Sequence, residues 1–159
     1  MKQKELSTIL KAILILCLLA LLLLGAWVVP SIGAETAEGV PSLAWLFWPA
    51  LIAFWLTCLP VVAVLGIVWQ LSNEIRRDNS FSTENARRLK WISVLALGDT
   101  AAYLVSAVVL MALNALHPGI ALLFFAILLF GVAVAVIAAL LSHLVRKAAD
   151  LRAEQELTI

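Results

Sequence analysis

The sequence predicts an all-α integral membrane protein, four transmembrane helices in an antiparallel bundle with both termini in the cytoplasm, on three observations. Its 159 residues are 64% hydrophobic with a mean hydropathy of +1.08, above the roughly 45–50% apolar content of soluble domains. Four stretches reach the length of about 20 residues that a helix needs to cross the hydrocarbon core. All 11 Lys and Arg fall on one side of the resulting topology. Cytoplasmic segments retain positive charge, so that side is the cytoplasm.

The first span is read as residues 6–29, preceded or entered by Lys2, Lys4 and Lys11. Its apolar run, 12–29, is longer than the 7–15 residues of a cleavable signal, which predicts an uncleaved anchor. The second span, 43–69, is long for one crossing and holds Pro49 and Pro60. A tilt, a kink, or a first turn containing Pro49 accommodates that length. The third span is 90–113 and the fourth 119–145, all within a single four-helix membrane domain over 1–159. Residues 70–89 form a cytoplasmic loop with Arg76, Arg77, Arg87, Arg88 and, just beyond it, Lys90; Arg146, Lys147 and Arg152 lie in a cytoplasmic tail, 146–159. The outer connections carry only Glu35, Glu38 and His117.

Tryptophan rings favour the two membrane interfaces. Trp27, Trp45 and Trp48 fall at predicted outer ends, Trp69 and Trp91 at inner ends, and only Trp55 in the middle. The aromatic residues thus agree with the charges.

Helices approach closely in lipid where small residues recur four apart. Gly98, Ala102 and Ser106 do so on the third span, and Gly131, Ala135 and Ala139 on the fourth. Pairing 98 with 139, 102 with 135 and 106 with 131 puts the hairpin midpoint between Pro118 and Gly119, where a turn is expected. The competing reading is that small residues are simply common in membrane helices.

Asp99 adjoins this seam, about 12 Å from Trp91 by helical rise. An intramembrane carboxyl is costly and faces a partner or a water-filled path. With Tyr103, and with His143 about 7 Å nearer the cytoplasm, it forms a candidate polar site for a proton or cation. The alternative is a neutral carboxyl hydrogen-bonded to Thr100, Tyr103 or a carbonyl.

Chemistry of other kinds finds little support. Cys17 and Cys58 sit in apolar runs without metal or redox spacing. His117 is placed on the outer turn and His143 near the inner end, so no convergent set of catalytic or metal-binding groups assembles. A net charge of +1 gives no field for direct nucleic-acid binding. The sequence therefore predicts a non-enzyme with no cofactor or metal, embedded in the lipid bilayer.

The cytoplasmic loop ends in a helix start: Ser82 is placed to cap, Glu84 to favour the dipole, and Phe81 to act as an apolar staple. The run Phe81-Ser82-x-Glu84-Asn85-Ala86-x-Arg88-Leu89-x-x-Ile92 resembles the "PFSxENAxRLxxIG" signature of the bacterial membrane-protein family known as domain of unknown function 2975. The tail Leu151-x-x-Glu154-Gln155-Glu156-Leu157-Thr158-Ile159 is similar to that family's terminal "LxxENDLTI". Ser80 stands for the family's Pro, Ser93 for its Gly, and Gln155-Glu156 for its Asn-Asp.

The resemblance implies a bacterial inner-membrane protein whose genetic neighbours include small helix-turn-helix regulators of the Xre type. It makes Phe81, Ser82, Glu84, Asn85 and Arg88 in the loop, with Leu151, Glu154, Leu157, Thr158 and Ile159 in the tail, candidate partner-binding residues for a regulatory or scaffold protein. Leu144, Ala148 and Leu151 share one face of an amphipathic tail helix with charges between them, which suits docking or packing on the loop alike. A second functional class is a small transporter or channel subunit using Asp99, assembled as a homo-oligomer because four helices leave little room for a path.

Overall fold

The computed structural model describes residues 3–76 and 81–156. These are helical almost throughout, in four segments long and apolar enough to cross a membrane. Their outward surfaces are covered with exposed Leu, Ile, Val and Phe. Water does not tolerate apolar area of that extent, whereas lipid covers it at no cost.

The first segment comprises α1 (Gln3–Leu23), a π turn (Leu24–Val28) and α2 (Val29–Gly39). Pro30 explains the π turn: it has no N–H for the Ala26 carbonyl, and widening the preceding turn makes room for its ring. The helix therefore continues past the expected end of the span at residue 29. It stops where Val40, which precedes Pro41, takes an extended conformation with φ −133°. A short 3₁₀ helix, Pro41–Leu46, leads into α3 (Phe47–Arg76), which holds Pro49 in its first turn and Pro60 in its interior.

Helix α4 (Thr83–Ala112) ends in a Schellman turn. Asn114 takes the left-handed conformation with φ 51°, its N–H donates to the Met111 carbonyl, and the Ala115 N–H donates to that of Leu110. Pro118 then opens α5 (Pro118–Glu156) at a position where its missing N–H costs nothing. The 39 residues of α5 extend about 58 Å, well beyond a hydrocarbon core of about 30 Å.

Neighbouring segments pack antiparallel, α1 on α3, α3 on α4, and α4 most extensively on α5. Fixed points define the registers: Ser7 meets Ser72, Thr57 meets Tyr103, and Ser142 meets Ala86. One end of the molecule thus gathers the start of α1, the end of α3, the start of α4 and the end of α5. Every basic residue described lies toward that end, with Lys11 Nζ 5.1 Å from the Trp69 ring centre. Trp27, Trp45 and Trp48 are exposed toward the opposite end.

The α4–α5 register differs from the expected one. Gly131 lies against Thr100, whose hydroxyl occupies the space a Cβ at 131 would need, and Ala135 is buried. Gly98, Ala102 and Ala139 are exposed instead, and a Cβ at Gly98 would meet nothing within 4 Å. The cause is the turn. Because Asn114 ends one helix and Pro118 begins the next, the hairpin centre lies near residues 115–116, about three residues before the expected midpoint. Facing pairs shift accordingly: Gly131 meets Thr100, Ser142 meets Ala86, and the small residues buried are Ala86 and Ser93 on α4 and Ala135 and Ala138 on α5.

Candidate functional site

Two polar regions stand out in this apolar chain: the basic end and a cluster midway along α3 and α4. At the basic end, the Asn85 N–H donates to Ser82 Oγ at 3.2 Å, which caps α4 as its sequence predicts. Arg88 then draws its neighbours together, donating to Asn85 Oδ1 at 3.0 Å and to Glu84 Oε1 at 2.6 Å. Asn85 is only 1% exposed and Ala86 is buried beside it. Ser142 of α5 donates to the Ala86 carbonyl at 2.7 Å.

Four of the five loop residues expected to meet a partner, Ser82, Glu84, Asn85 and Arg88, therefore engage one another and build the start of α4. Phe81 is exposed. Beside this start, Gln70, Asn73, Glu74 and Arg76 of α3 join Arg88 around a polar cleft of about 460 Å³. In the tail, Leu151 is 54% exposed and Glu154 is exposed. Leu157, Thr158 and Ile159 lie outside the described residues.

Midway along the helices, Thr57 and Cys58 of α3 are buried, and Thr57 meets Tyr103 of α4. Thr57 Oγ1 donates to the Phe54 carbonyl at 2.8 Å and lies 3.1 Å from the Tyr103 hydroxyl. The Tyr103 ring packs edge-on against Phe124 of α5, with centres 5.8 Å apart. Thr100 donates to its own helix at the Ala96 carbonyl, 2.6 Å away. That bond leaves Asp99 Oδ1 buried and without a hydrogen-bond partner.

His143 does not join this cluster. It is exposed one residue past Ser142, and with Ser142 against Ala86 it lies about 20 Å along α4 from Asp99. The register shift of the hairpin is the reason. Thr57 is the partner that sequence reasoning missed; with Cys58 it interrupts an otherwise apolar stretch of α3, and that interruption was the available signal. Among the described residues, no three His, Cys, Asp or Glu come together to hold a metal.

With this geometry in view, residues 31–159 match the family described as "Protein of unknown function (DUF2975)". The chain belongs to this family. The family match starts in α2 and covers every later helix, including the capped start of α4 that carries the signature. The chain is also similar to the "Uncharacterized membrane protein YoaS" of Bacillus subtilis (strain 168), 31% identical over 160 residues, covering 99% of this chain and 100% of that protein. No solved structure matches. Family membership and the four apolar helices establish a membrane protein.

Proposed function

We propose that this protein is a non-enzymatic platform in the bacterial inner membrane, with both termini in the cytoplasm, that presents its basic end to a soluble partner. The observation that carries this reading is the length of α5. With Ser142 opposite Ala86, α5 runs about three turns past the start of α4. Leu144, level with that start, and Leu151 beyond it are seven residues apart and so on one face, and both are exposed. At the same end of the molecule the polar cleft of α3 and α4 offers amides and arginines. An amphipathic helix with an uncovered apolar face, at the end of the molecule that also carries a polar recess, suits the docking of a small folded protein.

The partner that the family resemblance suggests is a helix-turn-helix regulator from a neighbouring reading frame. Membrane tethering would then control how much of that regulator is free to reach DNA. Binding of the purified regulator to the full chain in nanodiscs tests this. Leu151→Glu places a charge on the docking face and is expected to weaken binding about tenfold, the effect of losing one buried apolar anchor. Equal binding by the variant, or none by the wild type, overturns the reading.

A further inference from the structure

Asp99, whose Oδ1 is buried without a hydrogen-bond partner, lines a cleft. Helices α3, α4 and α5 leave between them a cavity of about 250 Å³, walled by Pro60, Ala96, Ile127, Phe130, Gly131 and Val134 among others. Phe130 is 72% exposed, so the cleft reaches the surface that faces lipid. A second and larger cavity, about 430 Å³, shares Tyr103 and Ile127 with the first and is lined mainly by apolar side chains of the same three helices. Among the described residues, Asp99 and Tyr103 are the only ones lining the smaller cavity that ionise.

The chemistry of the lining selects an occupant. Asp99 Oδ1 needs a hydrogen-bond donor. Its neighbours do not supply one: the Thr100 hydroxyl serves Ala96 and the Thr57 hydroxyl serves Phe54. The nearest basic residue on α4, Lys90, is about 13 Å away along the helix. A hard metal ion demands six or more oxygen ligands, and this cleft offers one carboxyl and hydroxyls already engaged. An organic ammonium satisfies the site better. Its N–H groups pair with the carboxylate, the aromatic faces of Tyr103 and Phe130 favour its charge, and its apolar body fills the remainder.

We propose that this cleft binds a lipophilic amine that enters from the lipid phase, with the ammonium on Asp99 and the apolar body along Ile127 and Phe130 toward the second cavity. The site is independent of the platform reading and stands at a different depth in the molecule. Lateral entry needs no aqueous path, so a single copy of the chain suffices.

Radiolabelled phenylbutylammonium is the probe, with the full chain in phosphatidylcholine nanodiscs. Phenylbutanol, of the same shape but uncharged, is the control. Saturable binding of the amine is expected, stronger than that of the alcohol, and Asp99→Asn is expected to weaken it about tenfold through loss of the charged partner. Ala96→Leu fills the cleft while leaving the carboxyl in the chain, and is expected to weaken both compounds. Gly98→Leu, on the same helix but directed into open space, is expected to bind as the wild type does. If Asp99→Asn does not fold, Ala96→Leu against Gly98→Leu decides the matter. Absence of saturable binding, equal binding of alcohol and amine, or equal binding by the cleft variants and the wild type overturns the proposal.

Discussion

Helices α4 and α5 touch along most of their shared length, whereas α1 touches α3 at separated points. In the hairpin, small side chains face one another: Ala135 and Ala138 are buried, and Gly131 lies against Thr100. Where the π turn and α2 meet α3 and the residues leading into it, glycines face large rings. A Cβ at Gly25 would lie 3.0 Å from Trp55, and one at Gly33 would lie 2.9 Å from Phe47. Lipid is as apolar as any helix surface, so helices gain nothing from burying leucine against leucine and associate through close packing and polar contacts instead. The hairpin uses the first means throughout. The α1–α3 pair relies more on the second, through Ser7 with Ser72 and Lys11 over Trp69.

This difference is tested most strongly at Gly131. Leucine there must displace the Thr100 hydroxyl or force the two backbones apart, and overpacking of this kind costs about 1–3 kcal/mol. Gly131→Leu is expected to show a clear fall in thermal unfolding temperature in detergent. Gly98→Leu, in the same hairpin, has open space around its Cβ and is expected to unfold near the wild-type temperature. Equal sensitivity at the two positions would restore the pairing of Gly98 with Ala139 that the i, i+4 pattern suggests.

That contrast also marks what the sequence made legible. Four apolar runs and the one-sided basic residues gave the number of helices and their alternation, because lipid imposes both length and charge placement on the chain. Register was lost because it depends on one local event, the left-handed turn at Asn114, which competes with Pro118 and Gly119 for the hairpin centre. Three residues of error there move Gly98 and Ala139 out of the contact and carry His143 away from Asp99. The first helix runs on past residue 29 for a similarly local reason: the π turn before Pro30 makes room for its ring and lets the helix continue. Asp99 itself was visible as a lone intramembrane carboxyl. Its cleft was not, since Pro60, Ile127 and Val134 become neighbours only through packing.

A smaller effect is expected from the polar anchor of α1. Ser7 donates to the Ser72 carbonyl at 2.9 Å, Ser72 donates to that of Ser7 at 3.2 Å, and both side chains are fully buried. Interhelical hydrogen bonds in membranes are worth about 0.6–1.7 kcal/mol. Ser7→Ala and Ser72→Ala are each expected to lower stability within that range. The double variant should cost less than the sum of the two, since each single change already breaks the shared Oγ–Oγ contact. Strict additivity in a double-mutant cycle would show that the two serines act separately, each through its own bond to a carbonyl.

The smallest effect concerns the family signature. Because Ser82 caps α4 while Glu84, Asn85 and Arg88 bind one another, the signature reads as a device for starting a helix at the membrane surface. Ser82→Ala removes the acceptor for the Asn85 N–H and is expected to cost about 1 kcal/mol. Glu84→Ala breaks an ion pair whose carboxylate is 71% exposed, and exposed pairs of this kind contribute about 0.2–1 kcal/mol. Hydrogen exchange locates both effects: protection should fall over the first turn of α4 and remain unchanged at the Schellman turn near Asn114. The cap also holds Ala86 against Ser142, so loosening it should reach α5 at the level of Ser142 before it reaches the α1–α3 pair. An equal rise in exchange across α1 and α3 would mean that the two packing units are coupled, and that the hairpin is not the more autonomous of them.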